Sequence, residues 1–326
     1  MKKIALLDTS IFSDNKGDDI IVQSVEKNIK HLLEGNFVMH IPTHSPAYHA
    51  YQTFKKNDNL KKRLEEFDLK FVCGTNLLWS DMLSRKPLWD INILNSKYLC
   101  GSILVGVGCP NNDINVNSYT KKLYRQVLSH DYIHSVRDSK TEHMMKDMGF
   151  KVINTGCVTT WSLTPEHCAE IPTIKSSEVI FTLTDYCKDV VNDQKLINIL
   201  NDNYSKVYFW VQGLHDYEYL CSLKNTENIE VVNPTLDSFE YILTKDIDYI
   251  GTRLHAGIKA LQYKRRSIIV AVDSRARNIN KDINLNCVER NEIDSIVERI
   301  NSNWKTDIKI NQGAINQWLS QFEIYK

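Results

Sequence analysis

Asp248-Tyr249-Ile250-Gly251-Thr252-Arg253-Leu254-His255-Ala256-Gly257 is the stretch that decides how this chain is read. An apolar run, Asp248 to Ile250, ends in a glycine, and a helix of small and apolar residues follows from Ala256 to Gln262. This is the strand-to-helix turn of a parallel sheet, and ligands bind beyond the carboxyl ends of such strands. Arg253 and His255 fall in the turn itself, beside a helix start that favours negative charge. Histidine is the common general acid or base near neutral pH. A lone histidine is more often structural, but pairing with an arginine at such a turn makes His255 a candidate for chemistry.

The same alternation runs outward in both directions. On the amino-terminal side, residues 3–7, 38–41, 69–73 and 102–107 read as strands, and 20–33, 119–129 and 140–148 as helices. Later, 179–183, 207–211, 229–232, 248–250 and 267–272 read as strands, with helices over 192–200, 238–244, 256–262 and 292–301. Strands alternating with helices predict an α/β protein with parallel sheets, and continuous apolar strands such as Ile103-Leu104-Val105 fit sheets covered on both faces. The length of 326 residues predicts two domains. The expected boundaries are 1–166 and 173–309, with a carboxyl-terminal helix (310–326) packing back on the first domain. Two doubly wound domains with a cleft between them is the architecture expected.

Three further segments offer candidate residues. Asn15-Lys16-Gly17-Asp18-Asp19 follows the opening strand, where a glycine lets backbone approach a ligand and a helix start offers free N–H groups. Spacing alone favours a plain helix cap for Asp18 or Asp19. In Ser135-Val136-Arg137-Asp138-Ser139, Asp138 or Ser139 suits capping. Arg137 is either a guanidinium gripping a carboxylate or phosphate, or a surface ion pair. Arg275 and Arg277, after the strand ending near Val272, add positive potential to the edge that holds Arg253. Lys264-Arg265-Arg266 reads as a solvated helix end, and Trp79 and Tyr208-Phe209-Trp210 as core rather than sugar platforms.

The bulk composition narrows the function classes. Forty basic residues balance forty acidic ones, which argues against nucleic acid as the main partner. No apolar stretch reaches the ~20 residues that span a bilayer, so membrane contact is expected to be peripheral at most. Eight scattered cysteines contain no C-x-x-C pair, so no metal cluster and no disulfide framework is expected; thiols in a reducing cytoplasm fit better.

Taken in order, these segments resemble the polysaccharide pyruvyl transferase family. The matching pieces are Asn15-x-Gly17-Asp18, Ser135 to Ser139 with Met148-Gly149-Phe150, and Gly251 to Ala256 with Ile268 to Asp273. Cys73-Gly74-Thr75-Asn76 and Gly106-Val107-Gly108 are weaker echoes. Departures from the usual pattern stand at Gly156-Cys157, Thr75-Asn76 and Arg266-Ser267. The resemblance implies two Rossmann-like, GT-B-like domains, the first on the acceptor side and the second on the donor side. It implies phosphoenolpyruvate as donor, a sugar or lipid-linked saccharide as acceptor, and a role in cell-surface exopolysaccharide biosynthesis in the cytoplasm.

The chemistry so implied needs an acid for the methylene carbon of phosphoenolpyruvate, and His255 is the choice. Arg137 and Arg253 would hold its carboxylate and phosphate. Asp18 would orient or deprotonate the acceptor hydroxyl, with Asn15, Gly17 and Arg275 completing the substrate contacts. No metal and no organic cofactor enters this scheme. Two other readings stay open: a GT-B glycosyltransferase using a nucleotide sugar, and a carbohydrate- or anion-binding relative without turnover.

Overall fold

The computed structural model describes residues 1–55, 58–83, 88–110 and 114–323, without the side chains of 50, 53, 274, 275 and 278. The chain divides into two compact units. Unit 1 takes residues 1–13, 21–161 and 311–326; unit 2 takes 14–20 and 162–310. The division differs from the expected boundaries in two ways. The break falls after Trp161, and the short segment Asp14–Ile20 groups with the second unit.

Unit 1 contains β1 (Lys3–Asp8), β2 (Phe37–Pro42), β3 (Leu69–Cys73), β4 (Ser102–Val105), β5 (His134–Val136) and β6 (Val152–Asn154). The first four form a parallel sheet in the order β2-β1-β3-β4. The last two form a parallel pair, tied to the chain beyond β4 by a bridge between Val107 and Val136. Every residue of β3 (Leu69-Lys70-Phe71-Val72-Cys73) and β4 (Ser102-Ile103-Leu104-Val105) is out of solvent, Lys70 included. The helix Ser118–Val127 buries Leu123, Tyr124 and Val127, spaced to lie on one face. The terminal helix Gln312–Ser320 belongs to this unit. Its Trp318 is fully buried, edge-on to Phe71 and Trp161 at centroid distances of 6.3 and 5.7 Å. The Gln321 side chain holds both the N–H and the C=O of Ile133, at 2.8 and 3.0 Å.

Unit 2 contains β7 (Glu178–Thr182), β8 (Lys206–Trp210), β9 (Glu230–Val232), β10 (Asp248–Gly251), β11 (Ser267–Ala271) and β12 (Cys287–Glu289). All pair in parallel in the order β12-β11-β10-β7-β8-β9. Counting β7 to β12 as one to six, that is the Rossmann order 3-2-1-4-5-6 read from the other edge. The order reverses between β7 and β10, which makes that boundary the topological switch point. Phe181, Phe209, Ile250 and Val270 from four neighbouring strands meet Leu196, Leu200 and Ile296 in one core. Trp210 stacks on Phe239 at 4.0 Å, a core role.

One basic residue is not where composition put it. Arg266 is 2% exposed, not part of a solvated helix end. Its guanidinium pairs with Asp248 at 3.3 Å and donates to the carbonyls of Arg299, Ile300 and Ser302, closing the end of the helix Ile296–Asn301. Lys264 does face solvent, paired with Glu170.

Candidate active site

The chemistry-bearing turn is assembled at the switch point of unit 2. β7 and β10 run side by side, with Thr182 opposite Gly251. The strands approach so closely here that a Cβ on Gly251 would lie 2.5 Å from Thr182 Oγ1 and 2.7 Å from its nitrogen. Only glycine fits. Past the strand ends, Thr252 N–H donates to the Thr182 carbonyl at 3.1 Å, and the hydroxyls of Thr184 and Thr252 bond at 2.8 Å. Tyr249 holds the turn from below, its hydroxyl donating to the Arg253 carbonyl at 2.8 Å.

Arg253 is the cap residue of the helix Leu254–Gln262, and its side chain does not cap. It turns instead into the unit, where it is 3% exposed. Nε donates to the Leu183 carbonyl at 3.0 Å and to Asp216 Oδ2 at 3.1 Å. Nη2 donates to Asp185 Oδ1 at 2.7 Å and to Asp216 Oδ1. Asp216, fully buried, also accepts from the amides of Gly213 at 2.7 Å and Asp185 at 3.1 Å. Burial raises the Asp216 carboxyl against the pull of Arg253. Burial likewise works against the Arg253 charge, yet Asp216 and Asp185 outweigh it and its pKa rises. Gly213 makes room for the pair, since a Cβ there would meet Arg253 Nη2 at 2.1 Å.

A small depression opens at this edge, lined by Asn15, Tyr186, Gln212, Arg253, His255 and Asp273 among others. His255 sits in the first turn of the helix and is 8% exposed. The segment 14–17 is clamped to the loop after β8: Lys16 N–H donates to the Gln212 carbonyl, and Leu214 N–H to that of Asp14, both at 2.9 Å. Asn15 Oδ1 accepts from Gly17 N–H at 3.0 Å and from Gln212 Nε2 at 2.7 Å. Sequence distance hid this clamp.

Of the residues expected at the site, Asn15, Arg253 and His255 line this one depression, and Gly17 adjoins it through Asn15. Asp18 and Asp19 are not the helix cap. The helix Gly17–Asn28 begins before them, and both lie in its first turn, where carboxylates suit the dipole. Asp18 is buried and does not line the depression. Arg275 falls in the helix Ser274–Ile283, but its side chain lies outside the described residues. Arg277 is an exposed partner of Glu289. Arg137 belongs to unit 1. It is 9% exposed, donates to Asn76 and lies 3.6 Å from Asp138, while Asp138 caps the helix Ser139–Asp147. Gly108 leaves the space Arg137 fills: a Cβ would sit 2.2 Å from its Nε.

Sequence reasoning missed Asp185, Tyr186, Gln212 and Asp216. Asp185 and Tyr186 lie in a short 3-10 turn after β7, Gln212 in the loop after β8, and Asp216 opens the short helix Asp216–Cys221; no local pattern marks any of them. A larger cavity, about 270 Å³, is lined by Ser267, Cys287, Arg299 and Trp304. Ser267 and Cys287 are the first residues of β11 and β12, so it opens at the edge opposite the one where parallel sheets bind ligands. Among the described residues, no group of histidine, cysteine and acidic side chains is placed to hold a metal ion. None of the eight cysteines, all among the described residues, is in a disulfide. No helix of the described residues is long and apolar enough to cross a membrane.

Two parallel-sheet units, one in Rossmann order with an Arg-x-His turn at its switch point, define an α/β protein of the Rossmann-like kind. The model of the polysaccharide pyruvyl transferase family matches residues 15–274, and the chain belongs to that family. No curated protein matches it. Among solved structures it is similar to E. coli heptosyltransferase WaaC with ADP-2-deoxy-2-fluoro heptose, at 12% identity and TM-score 0.44, over 91% of this chain and 99% of that one. It is also similar to UDP-GlcNAc 2-epimerase from Neisseria meningitidis bound to UDP-GlcNAc, at 11% identity and TM-score 0.49, over 100% and 99%. Such TM-scores are too low to bear on function.

Proposed function

We propose that the chain moves the pyruvate unit of phosphoenolpyruvate onto a saccharide, forming a ketal, in cytoplasmic steps of cell-surface polysaccharide synthesis. The observation that carries this reading is the Gly251–His255 turn at the switch point, in a chain of a pyruvyl transferase family. His255 protonates the methylene carbon, and the double-bond electrons form the new C–H bond. The adjoining carbon, now oxocarbenium-like, takes the oxygen of a sugar hydroxyl. The bond from that carbon to the phosphate oxygen breaks, phosphate leaves, and a second hydroxyl closes the ring. The two hydroxyl protons pass to the imidazole and to the phosphate.

The geometry changes the part given to Arg253. With two carboxylates already on its guanidinium, it anchors the turn rather than gripping a free anion. The start of the helix Leu254–Gln262, which the Arg253 side chain does not cap, takes the donor's negative charge in this reading. Arg137 keeps its proposed part as a cation for the donor's carboxylate or phosphate, and the acceptor is a sugar or a lipid-linked saccharide. No metal or organic cofactor is required by these steps. Asp18 receives no chemical part.

The test is phosphate release from phosphoenolpyruvate in the presence of pooled envelope saccharides. His255→Ala should lower it by about 10²- to 10⁴-fold with an unchanged circular dichroism spectrum. Release that survives this substitution would remove His255 from the chemistry.

A further inference from the structure

We propose that unit 2 also carries a saccharide-ring subsite at the mouth of this depression, with Tyr186 as its stacking platform and Gln212 as the acceptor for a ring hydroxyl. The choice of a sugar rests on the transferase reading; the geometry of the subsite does not. Single exposed aromatics are ordinary on protein surfaces. Tyr186 differs in what lies behind it. It is 59% exposed, it lines the depression, and the Arg253 guanidinium lies 5.0 Å from its ring centroid. Arg253 is itself fixed by Asp185, Asp216 and the Leu183 carbonyl. An outward-facing ring is thus backed by a buried, immobilised cation, and a preorganised platform loses little entropy on binding. Leu214, on the neighbouring loop, and Tyr217, in the first turn of the helix Asp216–Cys221, are 64% and 49% exposed. Asp216 ties the two loops together by accepting the Asp185 amide. A pyranose offers such a surface one face of C–H groups and an edge of hydroxyls.

Gln212 supplies the second, independent observation. It is 3% exposed, and its Nε2 is spent on Asn15. Because Asn15 Oδ1 also takes the Gly17 amide, the orientation of both side-chain amides is determined. The other end of the Gln212 amide, Oε1, has no hydrogen-bond partner among the described residues. A buried acceptor left so has given up its hydration without a replacement and asks for an explanation. A slight tilt of the amide toward the depression would let a ligand hydroxyl satisfy it. The carboxylate and the doubly ionised phosphate of phosphoenolpyruvate have no such proton to give, so Gln212 reads the sugar and not the donor.

Saturation-transfer NMR on the full chain tests this without turnover. The probes are the methyl glycosides of glucose, galactose, mannose and N-acetylglucosamine, with uridine and phosphoenolpyruvate titrated separately. At least one glycoside should bind saturably, about tenfold more weakly to Tyr186→Ala and within about twofold of wild type to Tyr186→Phe. Gln212→Met should weaken the same glycoside about five- to tenfold, while phosphoenolpyruvate affinity stays unchanged in all three variants. The proposal is overturned if no glycoside binds the wild-type chain, if Tyr186→Ala binds as well as wild type, or if uridine is the probe that depends on Tyr186. Loss of phosphoenolpyruvate binding from the wild-type chain is a different result: it would sink the transferase reading and leave the subsite standing.

Discussion

Arg253 keeps a full charge where only 3% of its surface meets solvent, and it does so because two carboxylates and a carbonyl surround it. Such a cluster is not a source of stability by itself, since hydrophobic residues of like shape often do as well. Breaking it is another matter. Asp216→Ala leaves the buried guanidinium with Asp185 as its one carboxylate, and it should cost about 3–5 kcal/mol in denaturant unfolding. A loss below about 1 kcal/mol would mean that water or a rearranged Asp185 replaces it. In the sequence, Arg253 and His255 stood out because an apolar strand, a glycine and a helix surround them. Asp216 did not, because an acidic residue opening a short helix is what any capped helix shows. Its burial comes from contact with residues far away in the chain, to which local pattern is blind.

At the scale of elements, the same division holds. The apolar runs that become β1, β3, β4, β7, β8, β10 and β11 are legible because each is buried on both faces. β6 and β12, with three residues each, are too short for periodicity to mark them. The join between β1 and β2 has a chemical device of its own. His40, on β2, meets Asp8 at the end of β1 through Nδ1 at 2.6 Å and Glu26 on the helix Gly17–Asn28 through Nε2 at 3.4 Å. The bond to Asp8 first, then that to Glu26, raises its pKa from 6.5 to about 9. The folded imidazole therefore holds its proton to a higher pH than the unfolded chain does. Its stabilisation is complete below pH 6.5 and is lost as pH rises through about 9. The gap in thermal midpoint between wild type and His40→Gln should be widest near about pH 6 and close by about pH 10. A gap that stays constant over that range contradicts the pairing.

For the whole molecule, strand-helix alternation and an ordered set of turns were enough to reach an α/β fold with parallel sheets and the family. The sequence could not show that Asp14–Ile20 groups with unit 2, because that depends on backbone bonds to residues 212–214, nearly two hundred positions away. Nor could it show that Arg253 arrives already paired with Asp185 and Asp216. The central claim is that the depression at the β7–β10 switch point receives phosphoenolpyruvate for proton transfer from His255. Calorimetric titration of the full chain with phosphoenolpyruvate, and in parallel with UDP and GDP, tests it most directly. The account predicts saturable phosphoenolpyruvate binding that weakens about tenfold in His255→Ala, with neither nucleotide binding comparably. Tight binding of UDP or GDP with silence toward phosphoenolpyruvate would contradict it.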